Sequence, residues 1–158
     1  MTIVPETQLQ TNWCWATCAR MVARGAGSAP PEQCEIVGQF LNAAGCCVNG
    51  ASEACNKPLD AQLIPQLYSA FKMIAVPLAA AGKVTEPIVR QALQAGPLVQ
   101  LLLDLSSTFH YALVTGVTNG SYDVVDPRYG AFRASWSDLS SGYGQGSLTA
   151  AWRVHSQT

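Results

Sequence analysis

The chain has 158 residues, 49% of them hydrophobic and only 12% charged, with a formal net charge of −1 from nine Lys and Arg against ten Asp and Glu. Such a chain buries a core, is not globally disordered, and has no excess of positive charge with which to hold nucleic acid. No apolar run reaches bilayer-spanning length, and Met1-Thr-Ile-Val-Pro-Glu6 lacks the basic and apolar regions of a signal peptide, so a monomer without a membrane partner is expected.

Residues 1–13 carry Pro5 and several polar side chains and read as an extended arm. Trp15, Ala16, Cys18, Ala19, Met21, Val22 and Ala23 recur at helical spacing and predict a first helix from about Cys14 to Arg24, stopped by Gly25 and Gly27. After the Ser28–Pro31 turn, Ile36, Val37, Phe40 and Leu41 predict a second helix over Glu32–Ala44, with a stop at Gly45. A cysteine-rich loop follows. Leu63, Ile64, Leu67, Tyr68 and Phe71 then predict a third helix over Leu59–Phe71, with Asp60 as its cap and Pro65 disturbing its start.

Beyond Lys72 the pattern changes. Met73–Leu78 reads as a strand, and Thr85–Ala95 as a short helix capped by Thr85 with Pro87 in its first turn. Strands are predicted over Leu98–Leu105, His110–Val117 and Tyr122–Val125, with two more over Phe132–Trp136 and Leu148–His155 around a glycine-rich loop, Gly142–Gly146. Helices first and sheet second describe one α+β domain, a helical lobe over about 14–71 and a β-rich lobe over about 72–158, with a cleft between them. Trp13 and Trp15 are expected to wall the cleft or the core, and Trp136 and Trp152 to pack on the sheet.

Six cysteines point to an oxidising destination, and hence to a secreted or exported protein that leaves by a non-classical route or as part of a longer precursor. Cys34, Cys46, Cys47 and Cys55 suffice for two bridges, most simply with the adjacent Cys46 and Cys47 each pairing outward; which goes to which is open. Their spacing contains no C-x-x-C, so disulfides rank above zinc, and no metal or other cofactor is expected. Cys18, one helical turn after Cys14, reads as a small apolar residue.

Cys14 stands between two tryptophans at the start of a helix. Unpaired N–H groups and the positive end of the helix dipole favour a thiolate there, the reactive form of cysteine, whereas most free cysteines simply pack as apolar groups. Gln8, six residues earlier, has an amide able to fold back and donate to an oxyanion beside the thiol, with Gln10 as its rival. A thiolate also needs a proton carrier. His110 opens the most apolar strand after the polar Ser106–Thr108 turn, while His155 reads as an ordinary surface residue. Asp126, ending a strand before Pro127, is the group to orient the imidazole, ahead of Asp104 and Asp123. Geometry makes a demand here: a tight Asn119-Gly120 turn sets Asp126 opposite Leu113, on the other face from His110. Contact therefore requires a wider loop or a bulge.

Gln8, Asn12-Trp-Cys-Trp-Ala16, His110-Tyr-Ala-Leu-Val-Thr-Gly116 and Asp126-Pro127 resemble the motifs of papain-like cysteine peptidases, most closely the compact bacterial members related to double-glycine leader peptidases and secreted effector proteases. The resemblance implies a peptidase domain acting on a peptide or protein, with Cys14 as nucleophile, His110 as proton carrier, Asp126 as orienting group and Gln8 in the oxyanion hole. Thr11 stands where papain has a cysteine, and Asp126 where papain has an asparagine. Deamidases and transglutaminase-like toxins share the machinery, and an inactive binding module shares the fold; these are the alternative readings.

Overall fold

The computed structural model describes residues 1–158. The arm over residues 1–13 has no regular secondary structure and leads into helix α1, Cys14–Gly25. Most of α1 is sealed: nine of its residues are buried, including Thr17, whose hydroxyl donates to the Trp13 carbonyl at 2.9 Å. Helix α2 covers Gln33–Leu41, shorter than expected, because Asn42 turns into the left-handed region (φ 51°) and ends it. The third predicted helix is a 3₁₀ turn, Ala61–Leu63, running into α3, Ile64–Ser69. Asp60 accepts from the Gln62 N–H at 2.9 Å, and Pro65 sits in the first turn of α3, where its missing N–H costs nothing.

Six strands form one antiparallel sheet: β1 (Met73–Pro77), β2 (Leu98–Asp104), β3 (Phe109–Thr118), β4 (Ser121–Asp126), β5 (Gly130–Ser135) and β6 (Ser147–Ser156), in the order β1-β6-β2-β3-β4-β5. Helix α4, Glu86–Ala95, begins after Thr85, whose side chain makes no cap bond. The run Phe132–Trp136 does not stay extended: β5 ends at Ser135, and Trp136–Ser140 is a short helix, α5, held by a capping box between Ser135 and Asp138. Trp136 therefore leads a helix and packs on Tyr122, ring centroids 6.0 Å apart, instead of lying in the sheet.

Helices cover both faces of this sheet. Residues of α1, α2 and α3 share a 25-residue core with Leu98, Leu102, Tyr111 and Leu113 on one face. Val89, Ala92 and Leu139 of α4 and α5 share a 14-residue core with Val99, Leu101, Ala112 and Val114 on the other. Burial on both faces explains why β2 reads as an unbroken apolar run. No helix is long and apolar enough to cross a membrane.

The cysteine loop is oxidised, with Cys34 joined to Cys47 and Cys46 to Cys55. Cys14 and Cys18 remain thiols. Trp13 and Trp15 do not line a cleft. Both are buried, and their indole N–H groups donate to the Cys55 and Lys57 carbonyls at 2.9 and 3.0 Å, which hangs the loop on the start of α1. Gly50 is glycine for the same reason, since a Cβ there would lie 2.6 Å from the Trp13 ring.

Candidate active site

Cys14 is the first residue of α1, so its own N–H has no intrahelical acceptor. The two residues before it are fixed from outside the helix. Asn12 donates through its backbone N–H to Asn56 Oδ1 and through Nδ2 to the Asn56 carbonyl, both at 3.0 Å, while Asn56 Nδ2 donates to Thr11 Oγ1 at 2.9 Å. With the two tryptophan bonds, five hydrogen bonds join residues 11–15 to residues 55–57. The Cys14 sulfur faces β3, accepting from the Tyr111 N–H at 3.5 Å.

His110 immediately precedes Tyr111, and a bulge brings Asp126 to it. The Asn119-Gly120 turn is tight, both residues having positive φ (52° and 77°), and Thr118 pairs with Ser121. Carried on unchanged, that register would put Asp126 opposite Leu113. Between Val114 and Gly116 the register shifts, so Leu113 pairs with Val125. Asp126 then falls opposite Ala112, on the His110 face, and His110 Nε2 lies 2.8 Å from Asp126 Oδ1. Of the two geometries that permit contact, the fold uses the bulge and keeps the tight turn.

This pair is buried, with 3% of the His110 side chain and none of Asp126 exposed. Burial alone pulls an imidazole towards neutrality. Here the Asp126 carboxylate, the hydrogen bond to Cys14 and the charges of both outweigh it and raise His110 to about 9. Burial likewise opposes the charge on Asp126, but hydrogen bonding to His110 and its positive charge, with the Arg128 N–H and the Tyr143 hydroxyl, hold the carboxyl below its ordinary range. Nε2 faces Asp126, and in the charged imidazole both ring nitrogens carry a proton, so Nε2 donates to the carboxylate while Nδ1 is free to donate elsewhere.

Tyr143 is the site residue that sequence reasoning did not single out. Its hydroxyl donates to Asp126 Oδ2 at 2.7 Å, while Oδ1 also accepts from the Arg128 and Tyr129 N–H groups at 2.7 and 3.1 Å. Asp126 therefore has a donor on each oxygen. The glycine-rich loop delivers this tyrosine through three successive positive-φ residues, Gly142, Tyr143 and Gly144, and a Cβ on Gly146 would fall 2.0 Å from the Asp104 carbonyl oxygen. The available signal was the aromatic residue inside that loop; the partner was not visible.

Gln8 is placed beside this assembly by its backbone, which donates to the Pro127 carbonyl at 2.8 Å. Buried Gln33 holds the neighbouring arm, accepting from the Leu9 N–H and donating to the Thr7 carbonyl. The Gln8 amide is already engaged: Nε2 donates to the Gln10 and Thr11 carbonyls, both at 2.9 Å, and buried Oε1 has no partner. Gln10 contributes only its carbonyl to this cluster. Asp104 bonds the Ser106 N–H, Asp123 pairs with Arg133 and His155 bonds its neighbour's carbonyl, so none of them joins His110. No group of three or more His, Cys, Asp or Glu is placed to hold a metal ion.

Two hollows meet at Asn12. One, of about 460 Å³, is mainly apolar and holds Cys14, Leu59, Leu102, Phe109 and Tyr111; the other, of about 570 Å³, is polar and is lined by the arm, Ser107, Thr108 and Arg128.

Solved structures share this architecture. The peptidase domain of Streptococcus ComA, a bifunctional ABC transporter involved in quorum sensing, is similar over 97% of this chain and 96% of its own, with a TM-score of 0.64 at 14% identity. The fold is that of the papain-like peptidases. A Bacillus anthracis protein described as a C39-like peptidase gives a TM-score of 0.62 at 13% identity, covering 96% of this chain and 94% of that one. A double-glycine-motif protease from an AMS/PCAT transporter, solved with a leader peptide, gives 0.60 at 12% identity, covering 98% and 90%. No protein-family model matches the sequence, and no curated protein matches it significantly.

Cys18 supplies an internal control for the reactivity of Cys14. It is fully buried, its sulfur lies 3.7 Å from the Tyr111 carbonyl, and burial pushes its thiol well up. Iodoacetamide at pH 6 is expected to label Cys14 and spare Cys18, as read by peptide mass mapping of the folded protein. Equal, slow labelling of both would count against a reactive thiolate at the helix start.

Proposed function

We propose that this chain is a cysteine peptidase that hydrolyses peptide bonds through Cys14, His110 and Asp126. One observation carries the reading: a buried, doubly satisfied His110–Asp126 pair adjoins a thiol at an unspent helix N-terminus. A role confined to packing needs neither the charge pair nor the raised imidazole. The leader peptide bound by the transporter protease of similar fold supports a peptide as substrate.

The Cys14 thiolate adds to the carbonyl carbon, and the oxyanion that forms is held by the Cys14 N–H and by Gln8. His110, charged and oriented by Asp126, gives its proton to the leaving nitrogen, and a thioester to Cys14 remains. Water then loses a proton to His110 as it attacks the thioester, releasing the acid and restoring the thiolate–imidazolium pair. The apolar hollow at Cys14 suits a side chain of the acyl half. The two disulfides favour work in an oxidising compartment, in keeping with a secreted effector or toxin domain.

Gln8 must release the Gln10 or the Thr11 carbonyl to serve the oxyanion. Profiling a peptide library is expected to show cleavage by the wild type and none by Cys14→Ala. On a substrate so found, Gln8→Ala should lower turnover by roughly a hundredfold while alkylation of Cys14 stays unchanged, because an oxyanion donor acts only on the transition state. A parallel fall in both rates would make Gln8 a brace for the turn before Cys14.

A further inference from the structure

Of the polar hollow the chemistry above uses only Gln8, and the rest of its wall has no part in it, although it shares Asn12 with the hollow that holds Cys14. Only one of its nine lining residues, Leu9, is hydrophobic, and only Arg128 is charged. No carboxylate neutralises that cation: Arg128 is exposed and takes part in none of the protein's ion pairs. Nor is it a loose surface arginine. Its backbone N–H is bound to Asp126, its guanidinium lies over the Tyr129 ring at 5.4 Å, and that ring stands edge-on to His110 at 6.3 Å. A positive group is therefore stationed at a set place, one aromatic ring removed from the proton carrier.

The two halves of a cleaved peptide separate by chemistry. The acyl half is bonded to Cys14 and lies with the apolar hollow. The amine half takes its proton from His110 and leaves past the elements flanking that residue, Ser107-Thr108 and Arg128, which wall the polar hollow. We propose that this hollow is a subsite for the leaving half of the substrate, selecting a carboxylate, from Glu, Asp or a chain terminus, within three residues after the scissile bond. The inference rests on the peptidase reading.

To test it, a cleaved peptide with neutral residues after the scissile bond is varied to Glu, Gln or Lys at each of the next three positions, and kcat/KM is measured for each. The wild type is expected to prefer Glu over Gln about threefold, the range of an exposed ion pair, with the preference shrinking at high salt. Arg128→Gln should erase the ratio, Arg128→Lys should keep part of it, and Arg128→Glu should turn it towards Lys. An unchanged Glu/Gln ratio in Arg128→Gln, or a charge preference confined to positions before the scissile bond, overturns the subsite. If the wild type cleaves no peptide, the peptidase reading falls by itself. The subsite is then read from fluorescence anisotropy of Cys14→Ala with labelled octa-alanine peptides carrying one Glu or one Lys: tighter binding of Glu that is lost in Arg128→Gln sustains it, and equal binding overturns it.

Discussion

His110→Ala is expected to lower kcat/KM on any cleaved peptide by about a thousandfold or more, because the other histidine, His155, is held on its neighbour's carbonyl and no second imidazole replaces His110 as donor to the leaving nitrogen. Asp126→Asn should cost less, since its amide keeps the shape and one acceptor oxygen and loses the charge and the acceptor that faces the Tyr143 hydroxyl. The two variants differ most clearly with pH. In the wild type the alkaline limb of kcat/KM is expected at about 9, where His110 loses its proton. In Asp126→Asn it should move towards the ordinary range of histidine. Stability follows the same sign: with His110 raised in the folded state, the pair contributes fully below the ordinary imidazole range, and the contribution is lost as pH rises through about 9. An alkaline limb that stays in place in Asp126→Asn would detach the carboxylate from the proton carrier.

Trp13→Ala is expected to destabilise the fold by about 3–5 kcal/mol, the range for emptying a large aromatic site in a core, with a further ~1 kcal/mol for the Cys55 carbonyl left without its donor. Urea unfolding measures it. Since the indole joins the oxidised loop to the residue before Cys14, preferential alkylation of Cys14 should fade in this variant while the fold persists. A loss under about 1 kcal/mol would show that the site has collapsed around the vacancy and that the ring is not the clamp.

What was legible in the sequence was local. Helix α1 announces itself through apolar spacing and Gly25, and the Asn119-Gly120 turn through its residue pair. The evenness of the 110–126 separation was legible too, together with the requirement for either a wider loop or a bulge. That the bulge falls at Thr115 was not, because it is set by packing across strands, where a Cβ on Gly116 would come within 3.2 Å of Asp123 Oδ2. Helix α5 was hidden inside a strand-like aromatic run, although Ser135-Trp-Ser-Asp138 carried a capping signal. Tyr143 lies 17 residues after Asp126, in an irregular loop beyond β5 and α5, with no periodicity to relate the two. The disulfide partners were undecidable for a similar reason, since both candidate pairings close short loops.

The loop clamped to residues 11–15 obliges one protein to keep sulfur in two oxidation states at once. Under the proposed chemistry Cys46–Cys55 stays oxidised to hold Asn56 against Asn12, while Cys14 has to stay reduced to act. A strong reductant that frees a capped Cys14 also loosens the segment presenting it; a strong oxidant does the reverse damage. Peptide cleavage across a glutathione series is therefore expected to pass through an interior maximum, and a monotonic profile would count against the coupling of loop and thiol. Carried from an oxidising exterior into a thiol-rich cytosol, the protein would gain its nucleophile first and lose its frame later, with the lifetime of a buried disulfide as its clock.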